Sequence, residues 1–412
     1  MRNLFFACAI LLAAQPIYAN PLSPKILNVP VISANGGFLN VSYDLDEDAV
    51  VTMTISVGGT NLTAETVRTL EGDVNRKVAA GNARKIIWKA HNDCDGLYVD
   101  AGRLSVSLTA WPPARPPDYM ACDLRAGVTD RICYYASSND VPGGVTNRMY
   151  KSDFLLMRYI PAAMVRHRQG SPVGTVVRGS KETAHYCTIS EDYYMAVYAF
   201  TEAQYALVGG SRKSTPSFVT GDESPYYPLS GVYWKDNVRG NVNAADAPAS
   251  SSILGRLRTR TGVNTFDLPT DAQWEYACRA GTSTTLYDGT ESGYGGNSAA
   301  GYDRALVLAW FNGNADGHPH EVGLKPCNAW GLYDMLGNIR EWCRDGNAVY
   351  SDDADVADPF LSGNFMMRGG CWNDGAFNCT SSHRDESHGG WSGDPQGDKY
   401  GFRVMCAIPT ER

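Results

Sequence analysis

The run from Trp330 to Asp345 packs glycine, large apolar residues and acidic residues into one short segment. Gly331 and Gly337 permit turns that a side chain would obstruct, and the neighbouring aromatic and aliphatic residues supply material for a core. The run therefore predicts an irregular, buried coil. Asp334 and Glu341 bracket a turn whose carboxylates and carbonyls offer the oxygen ligands that Ca²⁺ requires. The alternative is that Asp334 caps the turn and Glu341 pairs with an arginine.

The overall composition favours a globular, loop-rich protein. The chain has 412 residues, 42 of them glycine, and 11% of its residues are aromatic. Rings that fill the space between turns fit an irregular fold better than one built from long helices. The net charge of -8 argues against nucleic acid as a partner.

Residues 1–19 have the pattern of an export signal. Arg2 supplies the positive start, an apolar run follows from Leu4 to Ala14, and Ala19 ends an acceptable cleavage site. The mature chain is expected to begin at Asn20. Because no later segment has the length and apolarity of a membrane span, we expect an exported protein, periplasmic or extracellular.

The next part of the chain alternates apolar and polar residues with period two. Val51–Val57 and Leu104–Ala110 show this pattern, and glycine-rich turns separate such stretches. Residues 20–111 are therefore predicted to form a small, fibronectin-like β-sandwich. Residues 112–148 are interpreted as a proline-rich linker followed by a loop region.

Strand and helix signals reappear beyond this region. Phe154–Ile160 and Tyr193–Tyr198 predict strands, and Thr201–Val208 predicts a helix capped by Thr201. A second helix is predicted to begin at Thr270 and to end at Gly281.

Three separated blocks resemble the formylglycine-generating enzyme family, also called the sulfatase-modifying factor family. They read LPTDAQWEYACRAGT at 268–282, NAWGLYDMLGNIREWCRD at 328–345, and MRGGCWND with GFRV at 367–374 and 401–404. The resemblance implies a domain over 149–409 with an irregular α+β fold like that of C-type lectins. It also implies that calcium binds at the turn described above. The implied ligands are the side chains of Asp334 and Glu341 and the carbonyls of Gly337 and Ile339.

Active members of this family oxidise a cysteine of a sulfatase client with dioxygen, using copper(I) held by two thiolates. Copper(I) is soft and prefers sulfur ligands. In this chain Asp374 stands at the first thiolate position and Cys379 at the second, while Cys371 replaces a serine and Arg340 replaces a tryptophan. Cys379 and Cys371 are the candidate catalytic residues. They are also compatible with a disulfide, with buried thiols or with a relocated copper pair.

Further polar residues follow the same block. His383 and Arg384, with Asp374 and Arg340, are candidate cleft residues. His383 and His388, with Arg384 and Asp385 nearby, are compatible with a different metal site; the alternative is that His383 and Arg384 belong to a solvated cleft wall.

Two functions remain open from the sequence. The first is an exported, copper-dependent protein-cysteine oxidase acting on a sulfatase-type client. The second is a catalytically silent relative, a lectin-like module that binds a peptide or a glycan. The match to the family supports both, and the substitutions at Asp374 and Arg340 favour the second.

Overall fold

The computed structural model describes residues 23–94, 103–172, 175, 179–211, 225–292, 299–346, 350–351, 354–357, 360, 364–387 and 399–408. The predicted export signal lies outside these residues. The chain divides into two compact units, the first comprising residues 1–121, 132–147 and 409–412 and the second comprising 122–131 and 148–408. Among the described residues, no helix combines the length and apolarity needed to cross a bilayer.

The first unit contains two antiparallel sheets. One has the strand order β1-β2-β7-β5; in the other, β3 pairs with β4, β6 and β8. The strands are β1 Val31–Asn35, β2 Phe38–Leu45, β3 Ala49–Val57, β4 Thr60–Asn61, β5 Leu70–Gly72, β6 Arg76–Val78, β7 Gly81–Trp88 and β8 Leu104–Trp111. A short helix, α1 (Ala90–Asp93), follows β7.

The period-two pattern explains how this unit builds its core. β3 and β8 pair along their whole lengths, from Val50 opposite Trp111 to Val57 opposite Leu104. Alternate side chains then point to the same face of the sheet. Apolar residues from both sheets meet in one buried cluster that includes Ile86 and Trp88.

The region interpreted as a linker and loop contains two further strands. They are β9 (Tyr119–Asp123), at the division between the units, and β10 (Ile132–Tyr135), in the first unit. All five residues of β9 are buried, so the sequence shows no apolar–polar alternation there.

The second unit mixes short strands and short helices, as an irregular α+β fold requires. Its strands have the orders β11-β14-β21-β15, β12-β13-β17 and β19-β18-β16-β20. They are β11 Phe154–Ile160, β12 Val165–Gln169, β13 His185–Ile189, β14 Tyr193–Ala196, β15 Phe266–Asp267, β16 Arg340–Gly346, β17 Asp355–Ala357, β18 Phe365–Arg368, β19 Asp385–Ser387, β20 Tyr400–Gly401 and β21 Met405–Ala407. Its α-helices are α2 Glu202–Leu207, α3 Ile253–Thr261, α4 Asp271–Arg279 and α5 Ala299–Leu308.

Two helices begin where the sequence predicts. Thr201 and Thr270 each accept a hydrogen bond from the third residue of the following helix, whose glutamine side chain bonds back to the capping residue. α4 ends with Ala280 in the left-handed conformation, one residue before the predicted stop at Gly281. The buried face of α4 carries Trp274, which lies in the core of this unit.

Candidate functional site

Arg340 and Asp374 form a buried ion pair at the predicted cleft. Arg340 opens β16, and Asp374 follows the turn after β18. Arg340 donates from Nε to Asp374 Oδ2 over 2.9 Å and from Nη2 to Asp374 Oδ1 over 2.5 Å. Both side chains are 10% exposed. This is the planar, two-bond geometry that an arginine and a carboxylate adopt when they match well.

A further hydrogen bond and a further ion pair hold these two side chains in place. The Cys371 N–H donates to Asp374 Oδ2 over 2.9 Å, and Arg340 Nη1 lies 2.8 Å from Asp385 Oδ2. Burial alone would raise the pKa of Asp374, but the hydrogen bonds and the charge of Arg340 hold it below its usual value. Asp374 is therefore a carboxylate whose two oxygens are already occupied by protein donors.

Cys371 and Cys379 are fully buried thiols, not a disulfide. Burial, followed by the charge of Asp374, raises the pKa of Cys371 to about 12. Burial also raises the pKa of Cys379 well above its usual value. The sequence left a disulfide, buried thiols and a relocated copper pair open for Cys371 and Cys379. In the structure they are buried thiols.

The glycines before Cys371 allow this close packing. Gly370 has φ +70°, and a Cβ at that position would lie 2.8 Å from Cys379 Sγ and 2.7 Å from the Asn378 carbonyl oxygen. A side chain there would displace the turn at Asn378 and Cys379, which ends a short 3-10 helix. The backbone at Gly370 thus packs directly against the Cys379 thiol.

These residues do not fit a copper(I) site. Such a site needs two thiolates with room for a third sulfur from the client. The resemblance places Asp374 at the first of the two thiolate positions, where it offers a hard carboxylate that Arg340 already binds, and both thiols are fully buried.

The residues of the turn that was predicted to bind calcium differ in their hydrogen-bond partners. Asp334 has φ +54°, and its Oδ2 accepts the Gly323 N–H over 2.6 Å. Its Oδ1 is buried and has no hydrogen-bond partner among the described residues. Burial raises the pKa of Asp334 to about 6. An orphaned, buried carboxylate oxygen is a feature that a bound cation would satisfy.

Glu341 is committed to other partners. It accepts from Arg403 Nη2 over 2.9 Å and from the Trp274 indole N–H over 2.7 Å. The pairing of Glu341 with an arginine is the alternative that the sequence left open. The Gly337 carbonyl accepts the Ile339 N–H over 2.8 Å, and a Cβ at Gly337 would lie 2.2 Å from the Trp310 carbonyl oxygen. One buried oxygen of Asp334 is thus open to a cation, whereas both oxygens of Glu341 accept hydrogen bonds, from Arg403 and Trp274.

His383 and Arg384 pair with acidic residues of other segments. His383 Nδ1 lies 3.2 Å from Glu182 Oε1, and Arg384 Nη2 lies 2.8 Å from Asp271 Oδ2. Arg384 is 6% exposed, so it is not part of a solvated wall. His388 lies outside the described residues. Within the described part of the chain, no group of three or more His, Cys, Asp or Glu side chains is arranged to hold a metal.

An aromatic wall adjoins the ion pair, and sequence reasoning missed it. We use this name for Trp310, His320, Trp372 and Lys325. The rings of Trp310 and His320 stack with centroids 3.9 Å apart, and Lys325 Nζ lies 3.9 Å from the Trp310 centroid. Trp372 and Cys371 belong to the same buried apolar cluster, against which Trp310 packs.

Neither the aromatic wall nor Asp385 could be predicted from the local sequence. Their residues are spread from Trp310 to Asp385, with no fixed spacing that a motif could reveal. The run from 330 to 345 predicted where the site lies, but it did not predict which residues pack against that run.

Comparison with known proteins agrees with the geometry of this unit. Residues 161–408 match the model of the sulfatase-modifying factor enzyme 1-like domain. The chain is 24% identical over 188 residues to the chaperone protein LppX of Paenibacillus barcinonensis, covering 37% of this chain and 61% of that protein. It is 38% identical over 82 residues to the formylglycine-generating enzyme of Mycobacterium tuberculosis, covering 18% of this chain and 25% of that protein.

Among solved structures, the chain is similar to the Treponema denticola variable protein 1. The two are 22% identical with a TM-score of 0.49, covering 62% of this chain and 96% of that one. The chain spans less than two thirds of the length of the two curated relatives, the chaperone protein LppX and the formylglycine-generating enzyme. Because the family model accounts for more than half of its residues, the chain belongs to the family of the sulfatase-modifying factor enzyme 1-like domain.

Proposed function

We propose that this chain is a catalytically silent member of its family, exported from the cell, whose cleft binds a segment of a partner protein. The observation that carries the proposal is the buried Arg340–Asp374 pair. The resemblance to the family implies that Asp374 stands where active members hold a copper thiolate, and both of its oxygens already accept hydrogen bonds from Arg340 or Cys371.

The exposed part of the cleft offers contacts to a polypeptide. Phe377, three residues beyond Asp374, is 41% exposed, and the side chain of Asp385, which pairs with Arg340, is one third exposed. Aromatic rings next to charged groups suit the mixed apolar and polar surface of a protein segment. The family acts on protein clients, which supports the same class of ligand.

A glycan is the less favoured ligand. Direct binding of sugar hydroxyls to calcium requires an exposed ion, but Asp334 and Glu341 are 3% and 1% exposed. Any calcium at that turn would be enclosed by protein and would act on stability.

Turnover of a cysteine peptide tests the proposal. The copper-loaded full chain is incubated with a peptide carrying the sulfatase cysteine motif, and loss of the thiol is followed by mass spectrometry. Cys379→Ser is the matched control, since it removes the one thiol at a family position. We expect the wild type and this variant to give equal, background rates. Formylglycine produced by the wild type alone would overturn the proposal.

Arrays of peptides and of glycans test the class of ligand. The full chain is expected to bind peptides, and Phe377→Ala is expected to weaken that binding because the exposed part of the cleft loses its aromatic ring. Phe360→Ala, which removes an exposed aromatic ring outside the wall, is the control. Binding to glycans alone would contradict the proposed ligand class.

A further inference from the structure

Two histidines are diagonal neighbours on the face of β12 and β13 that packs against α4. The strands are antiparallel, with His167 opposite Cys187 and Gln169 opposite His185. Because alternate residues of a strand share a face, both imidazoles lie on the same side of the strands. That side meets α4, since Gln169 Nε2 donates to the Ala272 carbonyl over 3.0 Å. The two rings therefore lie between the strands and the helix.

One nitrogen of each ring has a backbone partner and the other has none. His185 Nδ1 lies 2.8 Å from the Thr183 carbonyl oxygen, and His167 Nδ1 lies 3.3 Å from the Val165 carbonyl oxygen. A carbonyl oxygen only accepts, so each Nδ1 carries the ring proton and each Nε2 is left without one. Both Nε2 atoms are buried and have no hydrogen-bond partner among the described residues. A second proton on either ring would have no acceptor there.

The faces of the two rings are covered by tyrosines. His185 stacks on Tyr350 with centroids 3.9 Å apart, and His167 lies against Tyr276 with centroids 4.5 Å apart. His185 is 3% exposed. The ring contact and the Nδ1 bond fix each imidazole, so Nε2 stays away from water while the strands remain packed on α4.

The carboxylates that act on the rings are already bound to arginines. Glu275 Oε1 accepts from Arg279 Nε over 2.8 Å, and its Oε2 accepts from Arg368 Nη2 over 2.9 Å. Asp271 pairs with Arg368 and, over 2.8 Å, with Arg384. Glu275 and Asp271 favour a charged imidazole, whereas Arg279 and Arg384 oppose one. Neither carboxylate reaches an Nε2 atom.

Burial lowers the pKa of His167 and His185, and a charge on His185 lowers that of His167 further. The neighbouring strand β17 does not counter this, because its Asp355 lies opposite Tyr186, on the other face, and pairs with Arg166. A histidine kept neutral by the fold contributes its full stabilisation above the pKa of the open chain, about 6.5. That stabilisation is lost as the pH falls from there towards the lower folded pKa. Acid therefore favours separation of these strands from α4.

We propose that His167 and His185 make the β12–β13 pair an acid-sensitive element, closed on α4 while both rings are neutral and released from it when Nε2 takes a proton. The proton comes from solvent, and water hydrates the imidazolium once the strands have left the helix. The β11–β14 pair contains no histidine and stays folded. This element works without the cleft at Arg340, so it goes beyond the proposed function.

Amide hydrogen exchange on the full chain at pH 7.0 and pH 5.5 tests the proposal, with rates corrected for the intrinsic effect of pH. A ring that is neutral in the closed state and has a pKa of about 6.5 in the open state lowers protection about 8-fold between these conditions. Two such rings lower it about 70-fold. The amides of β12 and β13 are expected to lose that protection, and those of β11 and β14 to keep theirs.

Asparagine variants separate the two rings, because asparagine can donate from the position of Nδ1 but does not titrate. His167→Asn and His185→Asn are each expected to reduce the loss to about 8-fold, and the double variant is expected to abolish it. If the double variant does not fold, the two single variants carry the test.

The matched control is His91→Asn in the first unit. His91 Nδ1 lies 3.3 Å from the Gly37 carbonyl oxygen, as His167 Nδ1 does from its own carbonyl, but His91 is exposed. This variant is expected to respond as the wild type. Equal protection of β12 and β13 at both pH values would overturn the proposal. So would a loss shared by β11 and β14, or a wild-type loss that persists in the asparagine variants of His167 and His185.

Discussion

Arg340 is the residue whose substitution most changes the chemistry of this cleft. Its guanidinium binds Asp374 and Asp385, at a position where the resemblance to the family implies a tryptophan. A buried charge is tolerated only when a partner and hydrogen bonds compensate for the loss of water. Arg340 and Asp374 therefore depend on each other, and replacing only one of them leaves an uncompensated charge.

Unfolding of variants measures this dependence. Arg340→Met and Asp374→Leu are each expected to cost about 3–5 kcal/mol in the free energy of unfolding, and the double variant is expected to cost less than either. Denaturant titration of the full chain gives the values. Arg166→Met, which breaks an exposed pair with Asp355, is the control and should cost at most about 1 kcal/mol. Additive costs for the two buried residues would show that they do not interact.

One buried oxygen of Asp334 has no hydrogen-bond partner among the described residues. We propose that calcium binds there, and a bound ion stabilises the folded chain by mass action. We expect calcium to raise the melting temperature by about 5 °C over a chelator, and Asp334→Asn to lose that response. Asp316→Asn, at an exposed carboxylate, is the control. A wild-type melting temperature indifferent to both calcium and chelator would contradict this prediction.

At the scale of elements, Asp93 fixes α1 against the strands of the first unit. Its Oδ2 accepts from the Trp88 indole N–H, from Thr69 Oγ1, and from the backbone N–H groups of Arg68 and Thr69, all within 2.9 Å. Burial alone would raise the pKa of Asp93, but these hydrogen bonds lower it. The ionised form is therefore favoured by folding.

The pH dependence of stability follows from this direction. Since the folded pKa lies below the unfolded one, the stabilisation by Asp93 is complete above about pH 4 and is lost as the pH falls through the folded pKa. Asp93→Asn is expected to cost about 2–3 kcal/mol at pH 7 and progressively less below pH 4. Urea unfolding of both proteins at pH 7, 5 and 3 gives the comparison. A cost that grows on acidification would refute it.

Elements with strong local signals were predicted well from the sequence. The helix caps Thr201 and Thr270 are confirmed, and so is the strand Phe154–Ile160, because capping and an apolar run bounded by turns are local properties. β9 was missed because its buried residues show no alternation. The Glu341–Arg403 pair joins residues 62 positions apart, so no spacing in the sequence could reveal it.

At the scale of the whole molecule, the first unit carries its own core. Every residue of its buried cluster lies between Leu39 and Val106, inside the predicted sandwich of residues 20–111. A domain with its own core can fold alone. The fragment 20–111 is expected to be soluble and to give a dispersed amide spectrum. A collapsed spectrum would show that this core needs more of the chain.

For the second unit we propose that the Arg340–Asp374 pair stands where active members of the family hold copper. The affinity for copper(I) is measured by competition between the reduced full chain and a chromophoric copper(I) chelator. The wild type is expected to leave copper with the chelator, because Asp374 is bound by Arg340 and the thiols are buried. The double variant Arg340→Trp and Asp374→Cys is expected to gain affinity, and Asp385→Cys is the control for an added thiol. Tight copper binding by the wild type that is lost in Cys371→Ser or Cys379→Ser would contradict the account.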